Sequence, residues 1–235
     1  MTMSEDPRIV RGMQAQAEMR RRRLVAGDRL IGWKVGFGAP AMLEKLKIDG
    51  PLVGFLTQSA HVPSGGSVSF AGWGKPVIEP EIAVFIGRDV PAGADRETVR
   101  AAIAGIAPAI EVVDFNEPPD DPARILGHNI YQRHVVLGAP GPARAGSAAD
   151  GLTCRIIRGG VETARTADPQ ANTGEWLAIV PHVADLLAAF GERLRAGEFI
   201  ITGSVVPPLT VEPGEDGVTF AADPIGSVSV RFLWT

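Results

Sequence analysis

Apolar residues in this chain come mostly in short runs broken by glycine, proline and polar positions, and only a few stretches carry them at helical spacing. The clearest helix is predicted over Glu175-Trp-Leu-Ala-Ile-Val-Pro-His-Val-Ala-Asp-Leu-Leu-Ala-Ala-Phe190, closed by Gly191. Ser4-Glu-Asp-Pro-Arg opens another, predicted over about residues 5–25 with Pro7 in its first turn. Arg20 to Arg23 lie near its C-terminal end, where cations suit the helix dipole, and are expected to be solvated. Shorter helices are predicted from Ala39 to Leu46 and from Ala94 to Ile106, the latter capped by Asp95.

The remaining apolar runs read as strands. They are Leu30 to Gly38, Val53 to Gln58, Val68 to Phe70, Val84 to Ile86, Pro108 to Asp114 and Val135 to Gly138. Further on come Cys154 to Ile157, its return Val161 to Ala164 across a Gly159-Gly160 turn, a buried run ending at Ser204, and an alternating strand from Ile225 to Phe232. His61 to Gly66 reads as a loop. The polar segment from Phe115 to Leu126, with Pro118-Pro-Asp-Asp-Pro122 inside it, is expected to be a mobile loop or lid. The pattern describes an α+β, β-rich body without internal repeats, and nothing over residues 1–235 marks a second domain.

Composition narrows the function classes. A net charge of −4 with mixed signs gives no reason to expect nucleic acid or an acidic membrane surface as partner. No apolar run approaches the roughly 20 residues needed to span a bilayer. One cysteine, Cys154, precludes an internal disulfide, fits a reducing compartment and reads as an inert structural thiol. The expectation is a cytoplasmic protein.

The candidate chemistry lies in Lys75-Pro-Val-Ile-Glu-Pro-Glu-Ile-Ala-Val-Phe-Ile-Gly-Arg-Asp89. Glu79 and Glu81 stand two residues apart, which in an extended chain puts both carboxylates on one face, roughly 6–7 Å apart at Cα. Like charges aimed at one spot need a cation or a shared proton between them. Pro80 has no N–H for a ladder, so this part of the run is expected at an edge or a strand entry. Glu111 sits in a second apolar run, where a lone carboxylate is costly unless paired or metal-bound. Three oxygen donors without nearby Cys or His suit Mg²⁺ or Mn²⁺; a solvated edge with Glu111 paired to an arginine is the alternative. In Leu30-Ile-Gly-Trp-Lys-Val-Gly-Phe-Gly38, Lys34 lies between Trp33 and Val35 and reads either as a half-buried group for an anionic substrate or proton, or as a lysine reaching off a strand to water.

With these pieces in order, the chain resembles the fumarylacetoacetate hydrolase superfamily, and within it the branch of 2-oxopent-4-enoate hydratases and 4-oxalocrotonate decarboxylases. The matching residues are Gly32-Trp-Lys-Val-Gly36, Glu79-Pro-Glu81, Pro108-Ala-Ile-Glu111, Asn129, Gly197-Glu-Phe-Ile-Ile-Thr-Gly-Ser204 and Gly226-Ser-Val-Ser-Val230. The resemblance implies a β-rich fold of mixed, roll- or barrel-like sheets with flanking helices. It also implies Mg²⁺ or Mn²⁺ held by Glu79, Glu81 and Glu111, with Lys34 as the catalytic residue that moves a proton or neutralises a carboxylate. It places Ser59, His128, Asn129, Tyr131, Thr202 and Ser204 around a small 2-oxo acid substrate, in a dimer-based homo-oligomer. The chain departs from the hydratase pattern at Ser59, where hydratases carry an aspartate, at His128 and Tyr131, which replace an Asp and a Ser, and at Thr166-Ala-Asp-Pro-Gln170.

The functional expectation is a metal-dependent lyase, of hydratase type, on a 2-oxo or 2-hydroxy-dienoic acid, with decarboxylation open through the same enolate. An acylpyruvase-type C–C hydrolase, with His61 or His128 as base, is a second reading. A catalytically idle relative that assembles with an active partner subunit is a third.

Overall fold

The computed structural model describes residues 2–147 and 149–234, and strands dominate it. The first long element is α1 (Pro7–Val25). Asp6 caps it by accepting the Arg8 N–H, and Pro7 stands at the first helical position, where a missing N–H costs nothing. Ile9, Met13, Gln16 and Arg20 recur every three or four residues and form its buried stripe.

The chain continues through β1 (Leu30–Gly36), α2 (Pro40–Leu46), β2 (Leu52–Thr57), β3 (His61–Val62), β4 (Ser67–Ser69) and β5 (Pro76–Ile86). Then come α3 (Arg96–Ala102), β6 (Ile103–Asp114), α4 (Pro122–Gly127), β7 (Gln132–Leu137) and the hairpin β8 (Thr153–Arg158) with β9 (Val161–Thr166). The last elements are α5 (Trp176–Ala189), β10 (Phe199–Ser204), β11 (Leu209–Thr210), β12 (Gly217–Asp223) and β13 (Gly226–Leu233).

Two mixed sheets result. The larger runs β2-β1-β10-β5-β6-β7-β3 with β11 beside β5, and the smaller runs β4-β13-β12-β8-β9. β1 pairs with β10 in parallel and β3 with β7 in parallel, while β10, β5, β6 and β7 alternate in direction. The fold is α+β and β-rich, with few flanking helices.

Register decides what each face of the large sheet carries. Across β5 and β6, Glu79 pairs with Glu111, Glu81 with Ala109 and Ala83 with Ala107. Ala83 in turn pairs with Ile201 of β10, and Ile201 with Lys34 of β1. Because side chains alternate along a strand, Lys34, Glu79, Glu81 and Glu111 share one face. That face also carries the small apolar cluster of Leu56, Ala83, Ala109, Val135, Phe199 and Ile201. The opposite face sends Ile78, Ile82, Val84, Ile110 and Val112 into the main core.

Several sequence expectations change here. Pro80 is central: β5 lies between β10 and β6. Its carbonyl accepts the Val205 N–H just where the β10 ladder shifts register, before β11 takes over beside Ile78. A strand residue points its N–H and C=O to the same side, so the missing donor falls in that break. The predicted helix to Ile106 stops at Ala102, because Ile103 onward pairs with β5 and the cross-strand ladder outweighs local helical spacing.

The expected lid is shorter than 115–126. Asp121 caps α4, and Ile125 and Leu126 are buried against α1, with Gln16 Nε2 donating to the Leu126 carbonyl at 3.3 Å. His61 and Val62 form a strand rather than a loop. Arg20, expected in solvent, is buried in an ion pair with Glu192, its guanidinium 5.2 Å from the Trp33 ring. No helix among the described residues is long and apolar enough to cross a membrane.

The α1–α4 contact is close enough to predict a sign. A Cβ on Gly12 would lie 2.7 Å from Leu126 Cβ and 3.0 Å from Ala123 Cα. Alanine gains about 1 kcal/mol of helix propensity, but overpacking costs about 1–3 kcal/mol. Gly12→Ala is therefore expected to lower stability by about 1 kcal/mol in urea unfolding, with Gly12→Val losing more.

Candidate active site

Glu79, Glu81 and Glu111 each offer a carboxylate oxygen, and these atoms lie within 4.8 Å of one another. Glu81 and Glu111 are fully buried, whereas Glu79 is partly exposed and faces a cavity. Lys34, itself buried, places Nζ 2.5 Å from Glu111 Oε1 and 3.4 Å from the Ile130 carbonyl. Glu81 Oε2 accepts the Gly203 N–H at 2.6 Å, and its other oxygen, Oε1, has no hydrogen-bond partner.

Burial is the main force on these carboxyls. It raises the pKa of Glu81 well above the ordinary range, with repulsion from Glu111 and Glu79 adding to it, and it raises Glu79 against the pull of Lys34. Burial also outweighs the Lys34 ammonium at Glu111, which is pushed up to about 8. The donors are all oxygens, one is orphaned and buried, and the excess charge is negative. These residues fit a small divalent cation of the Mg²⁺ or Mn²⁺ type.

Backbone geometry makes room for the lysine. A Cβ on Gly54 would meet Lys34 Cγ at 2.9 Å and Asn129 Oδ1 at 3.0 Å, so only glycine lets both side chains pass. Asn129 Oδ1 accepts the Phe55 N–H and its Nδ2 donates to the Phe55 carbonyl, each at 2.9 Å. Asn129, Ile130 and Tyr131 all have positive φ, at 50°, 54° and 60°. The Asn129 clamp holds this strained turn where Ile130 can present its carbonyl to Lys34.

The cavity beside Glu79 measures about 250 Å³. Its wall is largely apolar, with Phe37, Met42, Phe115 and Ile130 prominent and Ser204 near the acidic end. The other residues that the resemblance placed around substrate are distributed differently. Asn129 is consumed by Phe55, and Thr202 donates its hydroxyl to the Ile82 carbonyl. Ser59 bonds Asp28 through its hydroxyl and does not line the cavity. His128 and Tyr131 line a separate recess, where His128 Nδ1 lies 3.5 Å from Glu117 and the Tyr131 ring packs on Phe115.

Three cavity residues with polar or charged side chains were absent from the sequence expectations. Asn172 and Thr173 enter from the turn before α5, and Lys45 enters from α2. Asn172 Nδ2 donates to the Ser204 carbonyl at 2.7 Å, while Thr173 Oγ1 is buried without a partner. Nothing in their spacing marks them. The glycine in Val53-Gly-Phe, by contrast, was a readable sign of close approach.

Comparison with known proteins agrees with this geometry. The family model for the fumarylacetoacetate (FAA) hydrolase C-terminal region matches residues 35–232. A 4-oxalocrotonate decarboxylase of Pseudomonas putida is 31% identical over 223 residues, covering 93% of this chain and 83% of that protein. A 2-hydroxyhexa-2,4-dienoate hydratase of Comamonas testosteroni is 30% identical over 219 residues, covering 91% and 82%. The structure of 4-oxalocrotonate decarboxylase from Pseudomonas putida G7, complexed with magnesium and adipate, superposes with a TM-score of 0.85 at 29% identity, covering 94% of this chain and 85% of that one.

The raised carboxyl pKa values give a pH dependence with a definite sign. Between 4.5 and about 8 the folded, metal-free protein holds protons that the unfolded chain has released. Stability contributed by those protons is complete below 4.5 and is lost as pH rises toward 8. Chelator-treated protein is expected to melt at progressively lower temperature across this window, and Mg²⁺ or Mn²⁺ should flatten the trend; thermal melts at several pH values read both.

Proposed function

The chain belongs to the fumarylacetoacetate hydrolase family, and we propose that it is a divalent-metal-dependent lyase of the hydratase type, acting on a small 2-oxo or 2-hydroxy-dienoic acid. The observation that carries this reading is the buried cluster of Glu79, Glu81 and Glu111 with Lys34 beside it, opening onto a largely apolar cavity.

In this reading Glu79, Glu81 and Glu111 hold Mg²⁺ or Mn²⁺. The bound ion supplies a Lewis acid for the carboxylate and 2-oxo oxygens of the substrate. Glu81 is oriented by the Gly203 N–H, and Glu79 is the carboxylate that meets the cavity. Adding water across a conjugated 2-oxo acid requires a proton to move to or from its carbon frame. In this reading Lys34 Nζ, hydrogen-bonded to Glu111 and the Ile130 carbonyl, would hold and move it. The apolar walls at Phe115 and Ile130 keep bulk water from the substrate's chain. Relatives named hydratases and decarboxylases stand side by side among the similar proteins, and in this reading the same four residues would serve loss of CO₂ as well as gain of water.

The hydrolase reading needs a general base with a carboxylate partner near the cavity. His128 and Glu117 form such a pair, but it faces the separate recess, which places hydrolysis second. An idle relative has no use for three carboxylates and an ammonium buried together, since each costs stability unless it binds something. The proposal includes a dimer-based homo-oligomer in a reducing, cytoplasmic setting, supported by the resemblance and by the single buried thiol of Cys154; light scattering reads the oligomer.

Calorimetry tests the metal site. Wild type is expected to bind Mg²⁺ or Mn²⁺, and to bind oxalate only with the metal present. Glu81→Ala should weaken metal binding by about 100-fold or more. Metal binding that survives Glu81→Ala unchanged would refute the assignment.

A further inference from the structure

Across the Asn129–Tyr131 turn from the catalytic cavity lies the second recess, of about 150 Å³, and none of the three metal-site carboxylates lines it. The turn divides the two spaces, because Ile130 lines the cavity and Tyr131 the recess. The chain after β6 divides them likewise, with Phe115 on the cavity and Asn116 and Glu117 on the recess.

Gln132 is part of the recess wall and only 4% exposed. A relay of hydrogen bonds fixes which way its amide points. Asn129 accepts the Phe55 N–H through Oδ1, so its other end, Nδ2, is the donor that faces Gln132. That Nδ2 lies 3.5 Å from Gln132 Oε1, which leaves Gln132 Nε2 as the free end. Nε2 is buried and has no partner among the described residues. A buried amide donor without an acceptor is costly, so the position calls for an oxygen that the chain does not supply.

A cation stands at the same recess without an anion. Arg23 is half-buried in the last turn of α1, its guanidinium 5.2 Å from the Phe55 ring and 3.9 Å from Met19 Sδ. No ion pair among the described residues includes it. The other charges at the recess are committed. Arg133 lies 3.5 Å from Asp114, whose other oxygen accepts the Gly74 and Lys75 N–H groups. Glu117 lies 3.7 Å from Arg124 and 3.5 Å from His128. One positive charge and one buried amide donor are left over.

We propose that this recess is a second binding site, for a small monocarboxylate whose oxygens accept from Gln132 Nε2 and the Arg23 guanidinium. The single unpaired cation sets the ligand's charge, since a second negative charge would face Asp114 and Glu117 with nothing to balance it. A planar guanidinium matches a carboxylate, and Met19 and the Tyr131 ring offer a short apolar tail a surface to lie on. The Asn129 side chain that orients Gln132 also holds the turn whose Ile130 carbonyl meets Lys34 Nζ, so the two sites share one anchoring residue.

The test is saturation-transfer NMR on the methyl signal of propanoate, using the Mg²⁺-loaded full chain with excess oxalate to occupy the metal site. Wild type should bind propanoate under these conditions. Arg23→Met should weaken binding about tenfold and Gln132→Met several-fold. Arg21→Met, which removes an exposed arginine paired with Glu18 on the same helix, should leave it unchanged. Circular dichroism melts check that each variant is folded; if Gln132→Met is not, Arg23→Met decides. No propanoate signal with wild type, or one that Arg23→Met leaves unchanged, would overturn the proposal and leave water as the occupant of the recess. Inorganic phosphate that displaced propanoate at equal concentration would overturn the monocarboxylate assignment. A failure of oxalate to bind would fall on the metal-site reading alone, because the Arg23→Met comparison repeated in chelator without oxalate still decides this one.

Discussion

Three carboxylates and one ammonium share a small volume in which only Glu79 meets the cavity. Like charges separated by 4.8 Å or less repel by about 3 kcal/mol per pair at an effective dielectric near 20. Three such pairs face a single lysine, whose closest attraction is spent on Glu111. The cluster cannot stand fully ionised in the metal-free protein, and burial raises all three carboxyl pKa values as the physical response. A divalent cation answers the same excess charge without protons. The chemistry of the site and the instability of its empty form are thus one fact.

The fold is arranged to bear that cost. β5 and β6 pair over their full lengths, which holds Glu79 opposite Glu111. β10 contributes the Gly203 N–H to Glu81, and β1 lays Lys34 across Gly54. Three successive residues at positive φ, one of them β-branched Ile130, cost of order 1–3 kcal/mol each, and the double hydrogen bond from Asn129 to Phe55 keeps the turn in place. Beside the charged layer the same sheet face carries the buried apolar residues Leu56, Phe199 and Ile201.

The charged layer and the cavity wall are built differently. The charged layer is built from strands and admits little change without a buried charge losing its partner. The cavity wall combines the ends of β1 and β10 with α2, the turn at 172–174 and the segment around Phe115. The ionisable cluster is thus fixed by the sheet, while much of the apolar wall comes from segments outside it.

Much of the site was legible in the chain alone. The Glu-Pro-Glu spacing, the isolated glutamate of Pro108-Ala-Ile-Glu111 and the lysine inside a glycine-punctuated strand are local patterns, and strand geometry turns each into a side-chain direction. The helices over residues 5–25 and 175–190 were equally readable, because apolar spacing and caps are local too. What local pattern could not decide was pairing. Only the β5–β6 ladder extends β6 back to Ile103 and makes Pro80 central, since cross-strand hydrogen bonds are made between residues distant in sequence. Tertiary packing alone commits Asn129 to Phe55 and Thr202 to Ile82, and turns Ser59 toward Asp28. It alone brings Lys45, Asn172 and Thr173 to one cavity, because the turn before α5 and the helix α2 meet only when the sheet is formed. The sequence by itself determined which charged groups had to be buried together; the tertiary structure decided which neutral and cationic groups surround them.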